Sequence, residues 1–450
     1  MVAAGVWRIG PGETDTLAGR AAAALVRAGA QRGDRVVLSV PTSPALLAVV
    51  VGALRAGIVP VVLDPSLTAA ERDPVVADAA PRLVVAGAGA AEDVVAADGA
   101  PPPAGFALAD VPLGRPMHYT SGTSGRPKGV WAGVLDEADA RAMYEDEADT
   151  WGLGADDVLL VCSPLHHSAP VRFAVSTLLR GGEVVLVAPF DAASVADAIE
   201  EHRPTVAFVV PSHLQRLFAL PRERMPDLAS FRVLAHAGEP CAPDVKRRAI
   251  DAFPEGAVWE FYGSTEGQFT VCPPSDWLAR PGTVGRARAG RTLSIDGDGL
   301  VWCTAPRWAR FVYWNDPERT AAAWQGDAFT AGDLGRLDGD GFLYLDGRRD
   351  DLVISGGVNV YPAEVEAVLG AVDGVREVAV FGAADERWGQ RVCAAVVGDA
   401  AIGMLEACAR ERLAPHKRPK QYVVVDGDAL PRTSTGKVRR SAIAAALGIG

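Results

Sequence analysis

The chain has 450 residues, of which 49% are hydrophobic and 22% are charged. This length predicts two or three domains, and the composition excludes a disordered chain, a peptide hormone and a disulfide miniprotein. The net charge of −12 argues against nucleic acid or an anionic membrane as a partner.

The opening residues, MVAAGVWRIG, lack the charged and apolar segments of an export signal. The longest apolar run near them, ALLAVVVGAL, has about ten residues, too few to span a bilayer. We therefore expect a cytoplasmic protein without a membrane helix. The cysteines form no C-x-x-C pair, so neither a disulfide framework nor a zinc site is expected. These predicted reduced thiols are Cys162, Cys241, Cys272, Cys303, Cys393 and Cys408.

Strands and helices alternate from residue 35 onward. RVVLSV predicts a strand over 35–40, followed by a helix over 41–57 and a strand over 58–64. The same alternation returns later, with predicted strands at 158–164, 183–189, 206–211, 231–238 and 258–263 and predicted helices at 171–181, 193–202, 212–220 and 245–253. Apolar β-branched runs without polar alternation are typical of parallel strands covered on both faces. The chain therefore predicts an α/β fold whose ligands lie at the carboxyl ends of strands.

The pattern changes near the end of the chain. Residues 87–107, rich in Ala, Gly and Pro, predict a surface excursion rather than a domain boundary. After GFLYLDGRRDD, short strands and two helices indicate a compact α+β unit. We place the junction between Gly347 and Asp351, which gives a large domain of parallel-rich sheets over 1–346 and a small one over 347–450.

The string YTSGTSGRPKGV, Tyr119 to Val130, carries the sharpest chemical signal. Its hydroxyl residues, glycines and lysine predict a loop whose backbone N–H groups can surround phosphate oxygens. It matches neither the G-x-x-x-x-G-K-[ST] P-loop nor G-x-G-x-x-G. A flexible Gly/Ser turn is the alternative interpretation.

With this string the sequence resembles the adenylate-forming superfamily of acyl-CoA synthetases, nonribosomal adenylation domains and luciferases. The other family motifs follow in order along almost the whole chain. They are AGEP (237–240), FYGSTEG (261–267), TAGDLGRL (330–337), GRRDDLVISGGVNVYPAEVE (347–366) and PRTSTGKVRR (431–440).

The resemblance implies how a nucleotide would be bound. Tyr262 would stack on adenine, while Asp333 and Arg348 would hold the ribose hydroxyls. Glu266 is a hard oxygen ligand suited to Mg²⁺, with Thr123 beside it. A core tyrosine and a solvated turn aspartate are the structural alternatives. The remaining nucleotide-binding candidates are Thr120, Ser121, Gly122, Thr123, Ser124, Gly125, Lys128, Gly238, Glu239 and Pro240.

The resemblance also implies a mobile small domain. Lys437 matches the family's catalytic lysine, whose ammonium stabilises charge on the attacking carboxylate and the α-phosphate. Asp350 matches the hinge, and Gly356 and Gly357 match a narrow pantetheine passage. Trp388 in DERWGQRV, as in 4-chlorobenzoate CoA ligase and its relatives, would contact CoA; a tryptophan that only covers the small domain is the alternative.

The acid would bind near His167, which matches the histidine that gates the acyl pocket in acyl-CoA ligases. An inward-facing Arg172 or Arg216 would favour a dicarboxylate, whereas exposed helix arginines are the expected outcome. Since the predicted pocket is small and mostly apolar, it suits an aryl or medium acyl group. Its members are His167, Ser168, Val171, His213, His236, Ala237 and Gly263.

The resemblance thus implies an AMP-forming acyl- or aryl-CoA ligase that uses ATP, Mg²⁺ and coenzyme A. Its partners would be a small carboxylic acid and CoA, with a homodimer left open. An adenylation enzyme that loads an acyl carrier protein is one alternative. A nucleotide-binding protein without catalysis is the other, against which the presence of Lys437, Glu266 and Thr123 argues.

Overall fold

The computed structural model describes residues 4–96, 106–120, 128–355, 358–385, 387–432 and 438–449, with the backbone alone for Asp350 and Asn359. Within these residues the chain is a mixed α/β structure, as the sequence predicted. No helix among them has the length and apolar character needed to cross a membrane.

The first part of the chain builds a three-stranded parallel sheet in the order β3-β2-β4. The central helix, α2, begins after Ser43, whose hydroxyl accepts a hydrogen bond from the Leu46 backbone N–H at 3.2 Å. Its elements are β1 (Gly5–Ile9), α1 (Pro11–Arg27), β2 (Arg35–Ser39), α2 (Pro44–Arg55), β3 (Val59–Val62), α3 (Ala69–Ala79), β4 (Leu83–Ala86), α4 (Ala90–Ala96) and β5 (His118–Thr120).

The middle of the chain contains the largest sheet, in the order β1-β8-β7-β9-β10-β11. All its neighbouring strands are parallel except β1 and β8. Its elements are β6 (Lys128–Trp131), α5 (Glu137–Trp151), β7 (Val158–Val161), α6 (Ser168–Leu179), β8 (Glu183–Ala188), α7 (Ala192–His202), β9 (Val206–Val209), α8 (Pro211–Phe218), β10 (Val233–His236), α9 (Pro243–Ala252) and β11 (Val258–Glu260).

Successive residues of these strands enter two separate cores, as the period of a strand requires. Leu159 and Val161 of β7 pack with α6 on one face of the sheet, while Leu160 packs on the other face with α7, α8 and α9. The largest sheet is therefore covered by helices on both faces, and its carboxyl edge is where side chains from both can meet.

Small antiparallel sheets follow and frame the region after β11. They include β16-β6-β5, β14-β15-β18-β17 and the pair β19-β20. The elements are β12 (Thr270–Val271), α10 (Pro274–Ala279), β13 (Arg286–Ala287), β14 (Leu293–Ile295), β15 (Val301–Thr304), β16 (Val312–Tyr313), α11 (Pro317–Ala322), β17 (Trp324–Gln325), β18 (Ala328–Phe329), β19 (Asp333–Leu337) and β20 (Leu343–Arg348).

The C-terminal residues form a sheet β22-β21-β24-β23, with β25 parallel to β24. Two hydrophobic cores are made wholly of residues after 352. The division at residue 347 stays a prediction. A 3₁₀ turn, Arg349–Asp351, leads into the elements β21 (Val353–Ser355), β22 (Val358–Val360), α12 (Pro362–Leu369), β23 (Val375–Asp385), β24 (Gly389–Gly398), α13 (Ile402–Arg412), β25 (Gln421–Val425) and α14 (Arg440–Ala446). The other 3₁₀ turns are Arg222–Arg224, Arg307–Ala309 and Gly427–Ala429.

The prediction of a surface excursion over 87–107 is wrong for the residues that form α4. This helix packs against α1 and α2, with Ala91 1% and Val95 8% exposed in the main core. Residues at i and i+4 lie on one helix face, so a single Ala/Val pair suffices to bury it. The high Ala and Gly content of the segment hid this spacing. The predicted free state of the cysteines is confirmed.

The contact between α1 and α2 depends on Gly52. A Cβ atom there would lie 2.2 Å from the Ala18 carbonyl oxygen, so Gly52→Ala must separate the helices. We expect it to lower the free energy of unfolding by about 2 kcal/mol, as overpacking does. In Gly12→Ala the added methyl has no atom within 4 Å, so the helix propensity of alanine should give a gain of about 0.5 kcal/mol. Urea unfolding followed by tryptophan fluorescence measures both; equal effects would contradict the packing argument.

Candidate functional site

Several of the predicted site residues lie at the carboxyl edge of the largest sheet. β10 ends at His236, and the chain leaving β11 passes directly through Tyr262, Gly263 and Glu266. A Cβ at Gly263 would lie 2.9 Å from the Gly267 carbonyl oxygen, so this tight turn requires glycine. The turn directs Glu266 back into the protein interior.

Glu266 is buried, only 4% exposed, and bound by two side chains from distant segments. Its Oε1 accepts hydrogen bonds from Lys128 Nζ and from Tyr313 Oη, both at 2.8 Å. The Lys128 ammonium also lies 4.5 Å from the centroid of the Tyr313 ring. These residues meet because β6, which begins at Lys128, pairs with β16, which ends at Tyr313. Both hydrogen bonds end on Oε1, so Oε2 accepts neither of them.

Glu266 stays ionised in this environment. Burial alone would raise the pKa of its carboxyl group, but the Lys128 charge and the hydrogen bonds from Lys128 and Tyr313 outweigh burial and lower it. Burial, followed by the charge of Glu266, raises the pKa of Tyr313, so that hydroxyl remains a neutral donor. Sequence reasoning missed Tyr313, because nothing in VYWND marks it as a partner of a glutamate 47 residues away.

A second network joins Tyr262, Asp333 and Arg348. The Tyr262 hydroxyl donates to Asp333 Oδ2, and Arg348 Nε donates to Asp333 Oδ1 at 3.1 Å. Asp333 and Arg348 face each other across the pair β19-β20. The Tyr262 ring is nearly buried and packs on Phe269 with ring centroids 4.7 Å apart. The structure therefore brings together the three residues predicted to bind adenine and ribose.

The AGEP segment lies beside the start of α8. Gly238 has φ of +94°, and Glu239 Oε1 accepts a hydrogen bond from the Ser212 backbone N–H at 2.8 Å. A carboxylate at this position satisfies one of the free N–H groups of a helix N-terminus and complements its dipole. Glu239 thus has a structural partner, and its predicted role in nucleotide binding, like that of Pro240, stays a prediction.

His167 is the N-cap residue of α6, and Ser168 is the first residue of that helix. The His167 ring lies 4.4 Å from the ring of His166, centroid to centroid. Val171 is buried against the core on the same helix. Helix α6 therefore carries three of the predicted pocket residues at its first turn.

The other two histidines lie elsewhere. His213 on α8 stacks on Phe190 at 4.0 Å, beside an apolar cavity on the opposite face of the sheet from α6. Burial lowers the pKa of His213 to about 4. His236 has no exposed surface, and neither of its ring nitrogens has a hydrogen-bond partner among the described residues. Burial holds the pKa of His236 well below its usual value, so it is neutral.

A larger cavity lies between α5, α6 and the segment that follows Glu266, and none of the predicted pocket residues lines it. Arg172 does line it and is only 9% exposed, so the expectation of an exposed helix arginine is wrong at this position. The reason is that α6 is almost wholly buried between α5 and the sheet, so no face of it at residue 172 reaches water. Arg216 is exposed and lies over the ring of Phe190.

Several predicted residues lie outside the described part of the chain: Ser121, Gly122, Thr123, Ser124, Gly125, Gly356, Gly357 and Lys437. Thr120 ends β5 just before the first of them, and the side chain of Asp350 is also not described. Trp388 lies in the turn between β23 and β24 and is 39% exposed, with Arg387 over its ring at 4.8 Å. The predicted contact of Trp388 with CoA stays a prediction. Within the described ranges, no three His, Cys, Asp or Glu side chains are grouped as a metal site.

Comparison with known proteins gives two family matches. Residues 9–110 and 116–300 match the family described as AMP-binding enzyme. Residues 364–437 match the AMP-binding enzyme C-terminal domain.

Individual relatives agree with these matches. The chain is 36% identical to indoleacetate–CoA ligase of Aromatoleum aromaticum over 72% of its own length and 65% of that enzyme. It is 33% identical to feruloyl-CoA synthase of an Amycolatopsis species, over 94% of this chain and 91% of the relative. The crystal structure of ATP-bound MatB from Rhodopseudomonas palustris superposes with a TM-score of 0.82 at 31% identity, covering 96% of this chain and 92% of that one.

The Lys128–Glu266 pair predicts a pH-dependent loss of stability. Lys128→Met leaves a buried carboxylate uncompensated, which should cost about 3–5 kcal/mol of unfolding free energy at neutral pH. In the native protein the pKa of Glu266 is lower in the folded state than in the unfolded state. The ion pair therefore stabilises the fold fully above the unfolded-state pKa, and this stabilisation is lost as the pH falls through the folded-state pKa. In the variant, burial raises the pKa of Glu266, and protonation on acidification relieves the penalty.

Melting temperatures of both proteins at about pH 8 and about pH 5 measure this effect. The melting temperature of Lys128→Met should lie furthest below that of the native protein at the higher pH, and the gap should be smaller at the lower pH. The control variant Lys128→Met/Glu266→Gln should have a melting temperature that is lower than the native value by the same amount at both pH values. A constant difference for the single variant would refute the assignment to Glu266.

Proposed function

The chain belongs to the AMP-binding enzyme family, and from that premise we propose that it is an AMP-forming acyl- or aryl-CoA ligase. A carboxylate attacks the α-phosphate of ATP to give acyl-AMP and pyrophosphate. The CoA thiol then attacks the mixed anhydride to give the thioester and AMP. The observation that carries the proposal is a buried, ionised Glu266, held by Lys128 at the end of the predicted phosphate loop.

In the first step, this chain's residues bind and orient the nucleotide. Asp333 can accept hydrogen bonds from the ribose hydroxyls, since Tyr262 and Arg348 fix both of its oxygens in place. Glu266 has one oxygen outside its bonds to Lys128 and Tyr313, and this fits a cation ligand. Glu266 with Thr123 would hold Mg²⁺, which when bound neutralises phosphate charge and polarises the phosphoryl group.

Lys437 is proposed as the group that meets the developing charge. Its ammonium can donate to both the attacking carboxylate oxygen and the α-phosphate, stabilising the transition state more than the bound substrates. Arg440, three residues later in the same motif, donates to Glu366 Oε2 at 2.7 Å and to Asp351 Oδ2 at 3.0 Å. These ion pairs tie the end of the chain to the predicted hinge.

The acceptor thiol is proposed to be that of CoA. Trp388 offers an exposed indole on a hairpin turn, a surface on which the apolar and aromatic parts of CoA can pack. The curated relatives are named as CoA ligases, and the chain covers most of feruloyl-CoA synthase. The cytoplasm, where CoA and ATP are both present, is the proposed location.

Acid-dependent exchange of pyrophosphate into ATP tests the first step. The native protein should catalyse exchange with at least one acid from a panel of aryl and medium-chain carboxylates. Lys437→Ala should lower the exchange rate by about 10²–10³-fold, the range for loss of one transition-state donor. Lys420→Ala, an exposed lysine of the same region, should leave the rate unchanged. Absence of exchange with every acid would refute the ligase assignment.

Trp388→Ala tests the second step separately. The KM for CoA in thioester formation should rise about tenfold, equivalent to roughly 1.4 kcal/mol of lost contact. Pyrophosphate exchange should be unaffected, because it precedes CoA binding. Trp7→Ala, which removes an exposed tryptophan of β1, is the matched control. Failure of free CoA to saturate at micromolar to millimolar levels would instead favour a carrier-bound thiol.

A further inference from the structure

Among the described residues, the larger cavity noted above is lined by more arginines than acidic side chains. We call it the arginine cavity. Helices α5 and α6 form one side of it, and the segments around Glu266 and residue 290 form the other. Its charged lining consists of Arg115, Arg172, Arg288, Arg291, Asp146, Glu147 and Glu266.

The two acidic residues of α5 are shared among the arginines. Asp146 Oδ2 accepts from Arg288 Nη2 at 2.8 Å and from Arg291 Nη2 at 3.1 Å. Glu147 lies 3.5 Å from Arg288 Nη1 and 4.0 Å from Arg172 Nη2. Although burial would raise the pKa of Glu147, the charges of Arg172 and Arg288 outweigh it and keep the residue ionised. Since Glu266 is neutralised by Lys128, four guanidinium groups face two carboxylates.

Part of this hydrogen-bonding capacity is unused. Arg115 makes no hydrogen bond or ion pair with any residue in the described ranges. Burial, and then the charge of Arg172, lower the pKa of Arg115 to about 10. The Nε atoms of Arg172 and Arg288 are also buried without a partner among the described residues, and these residues are only 9% and 3% exposed. An unpaired buried donor is costly, and a bound anion would remove that cost.

The arginine cavity adjoins the proposed reaction centre. Glu266 and Gly267, which follow the nucleotide-binding tyrosine, line one wall. Arg172 lies five residues after His167 on α6, which places it about 7.5 Å further along the helix from the first turn. Apolar side chains complete the lining, among them Met143 and Phe329. An acid extending from the adenylation site along α6 would reach the arginines with its far end.

We propose that the preferred acid carries a second carboxylate, which the arginine cavity binds while the first carboxylate is adenylated. This inference rests on the proposed ligase function and names its substrate class. The planar guanidinium group matches a carboxylate with two parallel hydrogen bonds, and buried charge-assisted pairs of this kind discriminate strongly against a neutral group. Neither Arg115 nor Arg172 donates a hydrogen bond to a described residue, and of the two only Arg172 has an ion-pair partner there, Glu147 at 4.0 Å.

Matched substrates test the proposal through acid-dependent pyrophosphate exchange. Adipate is compared with monomethyl adipate, and terephthalate with monomethyl terephthalate, since each pair differs only at the far end, where a neutral methyl ester replaces the charged carboxylate. The kcat/KM should be at least about tenfold higher for one of the diacids than for its monoester. Arg115→Met should reduce that ratio to near one by raising the KM for the diacid, and Arg115→Lys should restore part of it.

Arg141→Met is the control, because Arg141 lies on α5 but is exposed and pairs with Glu137 at the surface. It should leave the diacid preference unchanged. Melting temperatures within a few degrees of the native value would show that the Arg115 variants fold.

The outcomes separate the two proposals. Exchange with monoesters equal to or better than exchange with diacids overturns the second-carboxylate proposal and leaves the ligase function intact. A rise in the KM for pyrophosphate or ATP in Arg115→Met, with no change for the acid, also overturns it and assigns the cavity to phosphate. Absence of exchange with any acid overturns the ligase function, and the substrate class falls with it.

Discussion

The ion pair between Lys128 and Glu266 is the interaction on which the site depends. A carboxylate this deeply buried would take up a proton without a nearby cation, and a neutral acid would be a poor ligand for a metal–nucleotide complex. Lys128 begins β6 just after the predicted phosphate loop, and Tyr313 reaches the same oxygen from β16. One buried charge therefore links the phosphate loop, the end of the largest sheet and the antiparallel sheets. The fold places these three segments together even though 138 residues separate the two ions.

A second group of buried charges lies on the other side of Glu266. The Lys128–Glu266 pair is balanced, whereas the arginine cavity places four arginines against Asp146 and Glu147 among its described lining once Glu266 is counted with Lys128. The two clusters share a wall at Glu266 and Gly267. This difference in charge indicates different functions. The balanced pair positions Glu266 as a ligand for the cation of the nucleotide, and the arginine cluster binds an anion. A structural cluster with no ligand would be expected to balance its charges, because uncompensated buried charge destabilises the fold.

Sequence patterns predicted those parts of the structure that local chemistry determines. Apolar β-branched runs identified β2, β7 and β9, and the helix predicted over 41–57 contains α2, which begins at Pro44. The ordered motifs predicted that Tyr262, Asp333 and Arg348 bind the same nucleotide, and the structure joins them in one hydrogen-bond network. The family pattern contains this long-range information, whereas hydrophobic periodicity does not. Contacts between segments distant in sequence escaped prediction. Tyr313 and the inward orientation of Arg172 depend on which strands and helices pack together, and His213 and α6 were grouped although the sheet separates them.

The central claim is that the ionised Glu266 carboxylate binds the cation that accompanies ATP. It is tested most directly by measuring ATP affinity calorimetrically with Mg²⁺ and with a chelator, for the native protein and for Glu266→Gln. The amide keeps the side-chain shape and can still accept from Tyr313, but it removes the charge. The native protein should bind ATP more tightly with Mg²⁺ than without, and the variant should bind it equally in both. A variant that retains the full Mg²⁺-dependent gain would contradict the account.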